Sequence, residues 1–181
     1  MPIDVRGPTD TTGAVSVLPK ETKTVCIVGG KGTTPSQEDL KIFDIYSTND
    51  AITKFGADSK SPELVRILIN NGVSSIKGII HKDVGETSPT EDVVFDEALD
   101  KNIDIIICDS TSAAVHAKIK EHLALAENED MPRYAVVGVA PGSDNSAIVA
   151  LAGAINDKRV FMPGPNTVSS AGVAQDGIYA A

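Results

Sequence analysis

The chain has 181 residues, 41% of them apolar and 23% charged, which suits one packed domain with or without appendages and excludes a disordered polymer. Sixteen Lys and Arg against 25 Asp and Glu leave a formal charge of −9, the wrong sign for a general nucleic-acid binder, whose affinity rests largely on neutralising phosphates. No apolar run approaches the roughly 20 residues that span a bilayer, and the opening MPIDVR lacks the pattern of a signal peptide, so no membrane partner is expected.

Residues 1–22 (MPIDVRGPTDTTGAVSVLPKET) carry little helical pattern and hold Pro2, Gly7, Pro8, Gly13 and Pro19. Residues 3–5 and 14–18 read as short extended pieces, and Val15-Ser16-Val17 alternates as a strand does. An extended segment with unpaired backbone groups needs a partner edge, in its own chain or in another. We read residues 1–22 as an arm outside the core, with Ile3, Val5, Val15 and Val17 as its candidate interface residues.

From Thr24 the pattern changes to alternating strands and helices. Apolar runs at residues 25–28, 76–80, 103–107, 135–139 and 159–162 are nearly continuous, as in strands buried on both faces of a parallel sheet. A short helix over residues 48–55 closes at Gly56. Ser61-Pro62-Glu63 predicts a helix start, with Ser61 as N-cap and Pro62 at the first helical position, and Asn70-Asn71-Gly72 predicts its left-handed stop. Ser88-Pro89-Thr90-Glu91 has capping-box spacing and opens a helix running to Leu99. Val115, Ile119 and Leu123 recur every four residues after a start at Ser110–Ser112. Ile148, Leu151, Ala152 and Ile155 make an apolar helical stripe after Ser143-Asp144. Right-handed βαβ units follow, and with them an α/β fold: a mainly parallel, buried sheet flanked by helices, with an extended N-terminal arm. Residues 82–100 are acidic (Asp83, Glu86, Glu91, Asp92, Asp96, Glu97, Asp100) and read as a solvated loop and surface helix.

The candidate chemistry is incomplete at every point. Residues 29–34 (GGKGTT) follow the first strand, where backbone amides cradle phosphates in many α/β folds. A Walker A loop needs a glycine where Val25 stands and a hydroxyl where Gly32 stands; the dinucleotide fingerprint fails at its third glycine. Asp109 sits at the carboxyl end of the third run, with Ser110, Thr111 and Ser112 behind it, and capping of the next helix is the expected role of Asp109, Ser110 or Thr111. His81, His116 and His122 are the only histidines and none has metal-ligand spacing with a Cys or an acid. Gly142-Ser143-Asp144 lacks the second glycine of a nucleophile elbow. Cys26 and Cys108 lie inside apolar runs, as buried free thiols of a chain made in a reducing compartment do. No catalytic residue, cofactor or metal is expected.

Taken in order, the arm, the strand Thr24-Val25-Cys26-Ile27-Val28-Gly29, the helix end Ile52-Thr53-Lys54-Phe55-Gly56, the Asn71-Gly72 stop before a strand at 75–80, and Ala98-Leu99-Asp100 leading into Ile103-Asp104-Ile105-Ile106-Ile107-Cys108 resemble the contractile tail sheath proteins of bacteriophages and related phage-tail-like particles. The resemblance covers roughly residues 12–181. It implies a structural subunit that assembles with other sheath subunits as stacked hexameric rings around a tail tube, above a baseplate, and contracts during injection without ATP. It implies an extended linking arm at 1–22 that adds strands to neighbouring subunits, and a sheath core over 23–181. The acidic stretch 82–97 falls where many relatives carry an inserted domain. Its localisation would be the virion tail sheath, made in the host bacterial cytoplasm. Family members run on to a C-terminal domain, whereas this chain stops at Gly177-Ile178-Tyr179-Ala180-Ala181. It therefore reads as a fragment, one that need not polymerise and can stay monomeric. The competing expectation is a flavodoxin-like or Rossmann-like nucleotide- or flavin-binding enzyme domain using residues 29–34 and 109–112.

Overall fold

Valine and isoleucine dominate the apolar runs, and their stiff, branched side chains pack well on a pleated surface buried from both sides. In the computed structural model, which describes residues 23–38, 41–81, 102–163, 167–168 and 174–175, all five runs contribute a parallel strand. The elements are β1 (Thr24–Gly30), β2 (Ile42–Ile45), α1 (Thr48–Phe55), α2 (Ser61–Asn70), β3 (Ser75–His81), β4 (Ile105–Cys108), α3 (Ala113–Asn128), β5 (Tyr134–Val137), α4 (Asn145–Ile155) and β6 (Val160–Phe161). β7 (Thr167–Val168) and β8 (Ala174–Gln175) form a separate antiparallel pair.

The six-stranded sheet has the order β2-β3-β1-β4-β5-β6, and only β2 runs antiparallel, along the outside of β3. From β1 the chain first moves one way, to β3, and later the other way, to β4, β5 and β6. Right-handed crossovers in opposite directions place their helices on opposite faces. Alternate residues of β1 therefore enter two cores. Val25 and Ile27 pack with Phe43, Phe55, Leu64 and Val65 on the α1–α2 side. Cys26 and Val28 pack with Val115, Ile119, Leu123 and Ile155 on the α3–α4 side.

The helix stops are where the sequence puts them. Gly56 closes α1 at φ +94°, and Gly72 follows α2 at φ +84°, a conformation open to glycine without a Cβ penalty. Asp144 caps α4 by accepting from the Ala147 amide at 2.7 Å. Three local expectations change. The N-cap of α2 is Lys60, and Ser61 stands at the first helical position with its hydroxyl used elsewhere. The N-cap of α3 is Ser112, without a side-chain capping bond, so neither Asp109, Ser110 nor Thr111 takes that role. The strand β2 was not expected, because its four residues carry Asp44 and make too short a run to stand out. The arm with Ile3, Val5, Val15 and Val17, the acidic stretch 82–97 and the helix expected over 88–99 lie outside the described residues.

Candidate functional site

In an open α/β sheet ligands gather at the carboxyl ends of the strands, where the chain's direction of travel reverses; here that is between β1 and β4. The residues at that point are Gly29, Gly30, His81 and Asp109, joined by Ser59 and Ser61 from the start of α2. Asp109 is 7% exposed and organises them. Its Oδ2 accepts from the Gly30 amide at 2.8 Å and, more weakly, from Ser61 Oγ at 3.5 Å, while its Oδ1 accepts from His81 Nε2 at 3.0 Å. Ser59 Oγ donates to the Gly30 carbonyl at 2.8 Å. One carboxylate thus ties the ends of β1, β3 and β4 to the first turn of α2.

The glycine-rich segment that could have held a phosphate is spent on the chain itself. Gly30 N–H points at Asp109, Gly32 N–H donates to the Phe55 carbonyl at 2.8 Å, and Thr33 N–H donates to the Ala57 carbonyl at 2.7 Å. The glycines are there for close approach: a Cβ on Gly29 would run into Ser61 Oγ and the Phe55 ring, and one on Gly32 into the carbonyls of Ala57 and Gly56. The negative charge that a phosphate would bring is already supplied by Asp109.

Nor do His81, Asp109 and Ser61 form a nucleophilic arrangement. Such chemistry needs the hydroxyl on the imidazole and the imidazole on the carboxylate. Here hydroxyl and imidazole both address the carboxylate, and Ser61 is fully buried. The other histidines are core residues. His116 Nε2 donates to the Ser110 carbonyl at 2.9 Å, and His122 Nε2 accepts from Arg133 Nη1 at 3.2 Å. Burial, helped by the Arg133 charge, lowers the His122 pKa to about 4, so the ring is neutral at pH 7 and free to accept. Burial pushes the Cys26 thiol up to about 12, far from nucleophilic use. Among the described residues no group of three or more His, Cys, Asp or Glu side chains could hold a metal ion, and no helix is long and apolar enough to cross a membrane.

Exposed apolar side chains lie elsewhere: Tyr46 beside β2, Leu125 on α3 and Tyr134 on β5 stand apart, and two more, Val149 and Phe161, lie at the far edge of the sheet. α4 (NSAIVALAGAI) has no charged residue, yet only Ile155 of it is buried, and Val149 is 70% exposed. Beside it runs β6, the outermost strand, with Phe161 60% exposed. A groove of about 340 Å³ separates the two, lined by Ala152, Ile155, Val160 and Met162 and by the polar Asn156, Asp157 and Lys158. Arg159 fixes the approach to β6. Its guanidinium engages both Asp157 oxygens, the Leu123 carbonyl and Glu127, and the bonds that Arg159 makes to Asp157 hold that carboxyl at a pKa of about 2. Sequence reading gave α4 the stripe of an ordinary core-facing helix. The clue that it is more was the lack of any charge on its other face.

No family model and no curated protein match the chain. Among solved structures it is similar to a chain of the anti-feeding prophage helical sheath in the contracted state, at 16% identity and a TM-score of 0.56, covering 94% of this chain and 47% of that one. It is also similar to a chain of the anti-feeding prophage baseplate in the contracted state, at 16% identity and a TM-score of 0.52, covering 96% of this chain and 50% of that one. The chain thus spans about half the length of these two structures' chains, and what they share with it is the fold.

Proposed function

We propose that this chain is the α/β core of a structural subunit of a contractile tail-like particle, a sheath component that assembles with copies of itself around a tube and carries no active site. The observation behind the reading is the fold likeness to sheath and baseplate chains over nearly the whole chain. The interior agrees with it: the position where α/β enzymes bind ligands is filled by Asp109, His81 and Ser61, while an uncharged helix and an outer strand stand exposed. Residues 1–22, with Ile3, Val5, Val15 and Val17, act in this reading as an arm that joins copies, and the partners are other sheath subunits, the tube and the baseplate.

Negative-stain electron microscopy of the protein expressed from its natural gene tests the proposal. Rings or striated tubes with a regular axial repeat are expected, and dispersed small particles at micromolar concentration would sink it. A thermal-shift screen with nucleotides and flavins is the counter-test. A ligand at 100 times its Kd adds about 2.7 kcal/mol of stability, and no such shift is expected here.

A further inference from the structure

We infer that the outer face of α4 is a two-fold contact: the α4 helix of a second copy packs antiparallel against it, Val149 of each beside Gly153 of the other. The inference concerns the free subunit and does not depend on the assembly reading above.

Gly153 is the observation that asks for a partner. It lies inside α4, where glycine weakens a helix relative to alanine because it has more backbone freedom to lose. Other glycines of the chain answer a need of the fold: Gly29 and Gly32 make room for close neighbours, and Gly56 and Gly72 supply a positive φ. Gly153 does neither. It is exposed, its φ is not positive, and a Cβ built on it would have no described atom within 4 Å. Its own chain makes no use of the space, so the space serves something that approaches from outside.

Helical spacing turns Ser146, Ala150 and Gly153 away from the sheet, while Leu151 and Ile155 face the core. Val149 stands beside that outer row, 70% exposed. The face thus offers a projecting valine and, one turn on, a vacant position. A helix that fits it needs the same two features in reverse order, and an antiparallel copy of α4 has them. With the two helices level at Leu151, Val149 of each meets Gly153 of the other, and the contact is made twice.

The flanking charges agree with that register. Asp144 and Lys158 lie seven residues to either side of Leu151, so each Asp144 comes to the end of the contact that carries the other copy's Lys158. Both are exposed. Asp144 takes Ser146 Oγ and the Ala147 amide on Oδ1 alone, which leaves Oδ2 for an outside donor. Between these ends α4 has no charged residue, so two copies of net charge −9 meet there without like charges face to face. Antiparallel packing also sets each helix N-terminus beside the other's C-terminus.

A two-fold contact is closed: each copy uses the same patch, and nothing further can be added there. Rings grow by head-to-tail contacts. A pair joined through α4 is therefore a reserve form of the subunit, which must part before its members enter a ring.

Analytical ultracentrifugation of the full-length chain across about 1–100 μM tests the inference, and a monomer–dimer equilibrium is expected. Gly153→Ala should act in two directions. It should raise the melting temperature of dilute protein by about 2 °C, since alanine suits a helix better. It should also weaken the dimer about tenfold, since the added methyl meets Val149 of the other copy. Ala150→Cys, close to the two-fold axis, should form a disulfide-linked dimer on mild oxidation, and Ala147→Cys, nearly a turn further from it, should not. The native Cys26 and Cys108 are fully buried and stay unlinked. A monomer at every concentration overturns the inference, as does a dimer unmoved by Gly153→Ala or linked equally at both positions. A lowered melting temperature for Gly153→Ala also overturns it, by showing that the fold itself needs the glycine. Electron microscopy keeps the two readings apart: rings from a protein that never pairs refute the two-fold contact alone, whereas pairs without rings count against the functional reading.

Discussion

The carboxyl ends of β1 and β4 and the outer edge at β6 are built to opposite ends. At the first, polar groups point inward and are satisfied by the chain: Asp109 takes the Gly30 amide, the His81 imidazole and the Ser61 hydroxyl, and glycines let the connecting loop close over them. At the second, apolar groups point outward and the described residues leave them uncovered. An α/β enzyme has the reverse distribution, with an open polar cleft at the switch point and well-covered sheet edges. In an open α/β sheet these two places can be finished independently of one another.

The sharpest way to break this contrast is Asp109→Ala. It removes the acceptor that three donors share, so unfolding in urea should show a loss of about 3 kcal/mol; an unchanged midpoint would mean that the polar end is not held together as described. Gly29→Ala comes next, at about 2 kcal/mol, because its methyl must displace Ser61 and the Phe55 ring.

Acidification probes the seam between the two regions, where α3 covers β5. His122 has a folded pKa of about 4 against about 6.5 when unfolded, so the folded state binds fewer protons between those values. Its contribution is present above pH 6.5 and is lost as pH falls toward 4. Denaturation at pH 7 and at pH 5 should differ by somewhat under about 2 kcal/mol from this group, and His122→Gln should flatten the difference. The smallest effect belongs to the open edge. Phe161→Lys or Val149→Ser should change monomer stability by no more than about 0.5 kcal/mol, while reducing self-association measured by analytical ultracentrifugation. A large loss of stability there would show that the edge is part of the core after all.

The contrast was only half visible in the sequence. The parallel strands were legible because burial on both faces writes a continuous apolar run, and the helix stops because Gly56, Gly72 and the Asp144 cap act over three or four residues. β2 was not, since Ile42-Phe43-Asp44-Ile45 is too short to show a period. Asp109 and Ser61 were misassigned for one shared reason. Each stands beside a helix start, where capping is the local expectation, yet their partners are 79 and 48 residues away in the chain. A long-range partner can override a cap of about 1 kcal/mol, and nothing in the neighbouring sequence announces it. Exposure of α4 was hidden by the same rule of local reading: its apolar stripe shows which side faces the sheet, and says nothing of what covers the rest.

The position of β1 has a mechanical consequence. Residues 1–22 enter the fold at the foot of the central strand, which is laddered to β3 over seven residues and to β4 over four. Tension applied through that segment runs along the strand axis and strains both ladders at once in shear, so many hydrogen bonds resist together. The same tension on an edge strand, pulled sideways, would peel its bonds one after another. A domain tethered in this way can be dragged through a large displacement as a rigid body while its own fold stays intact.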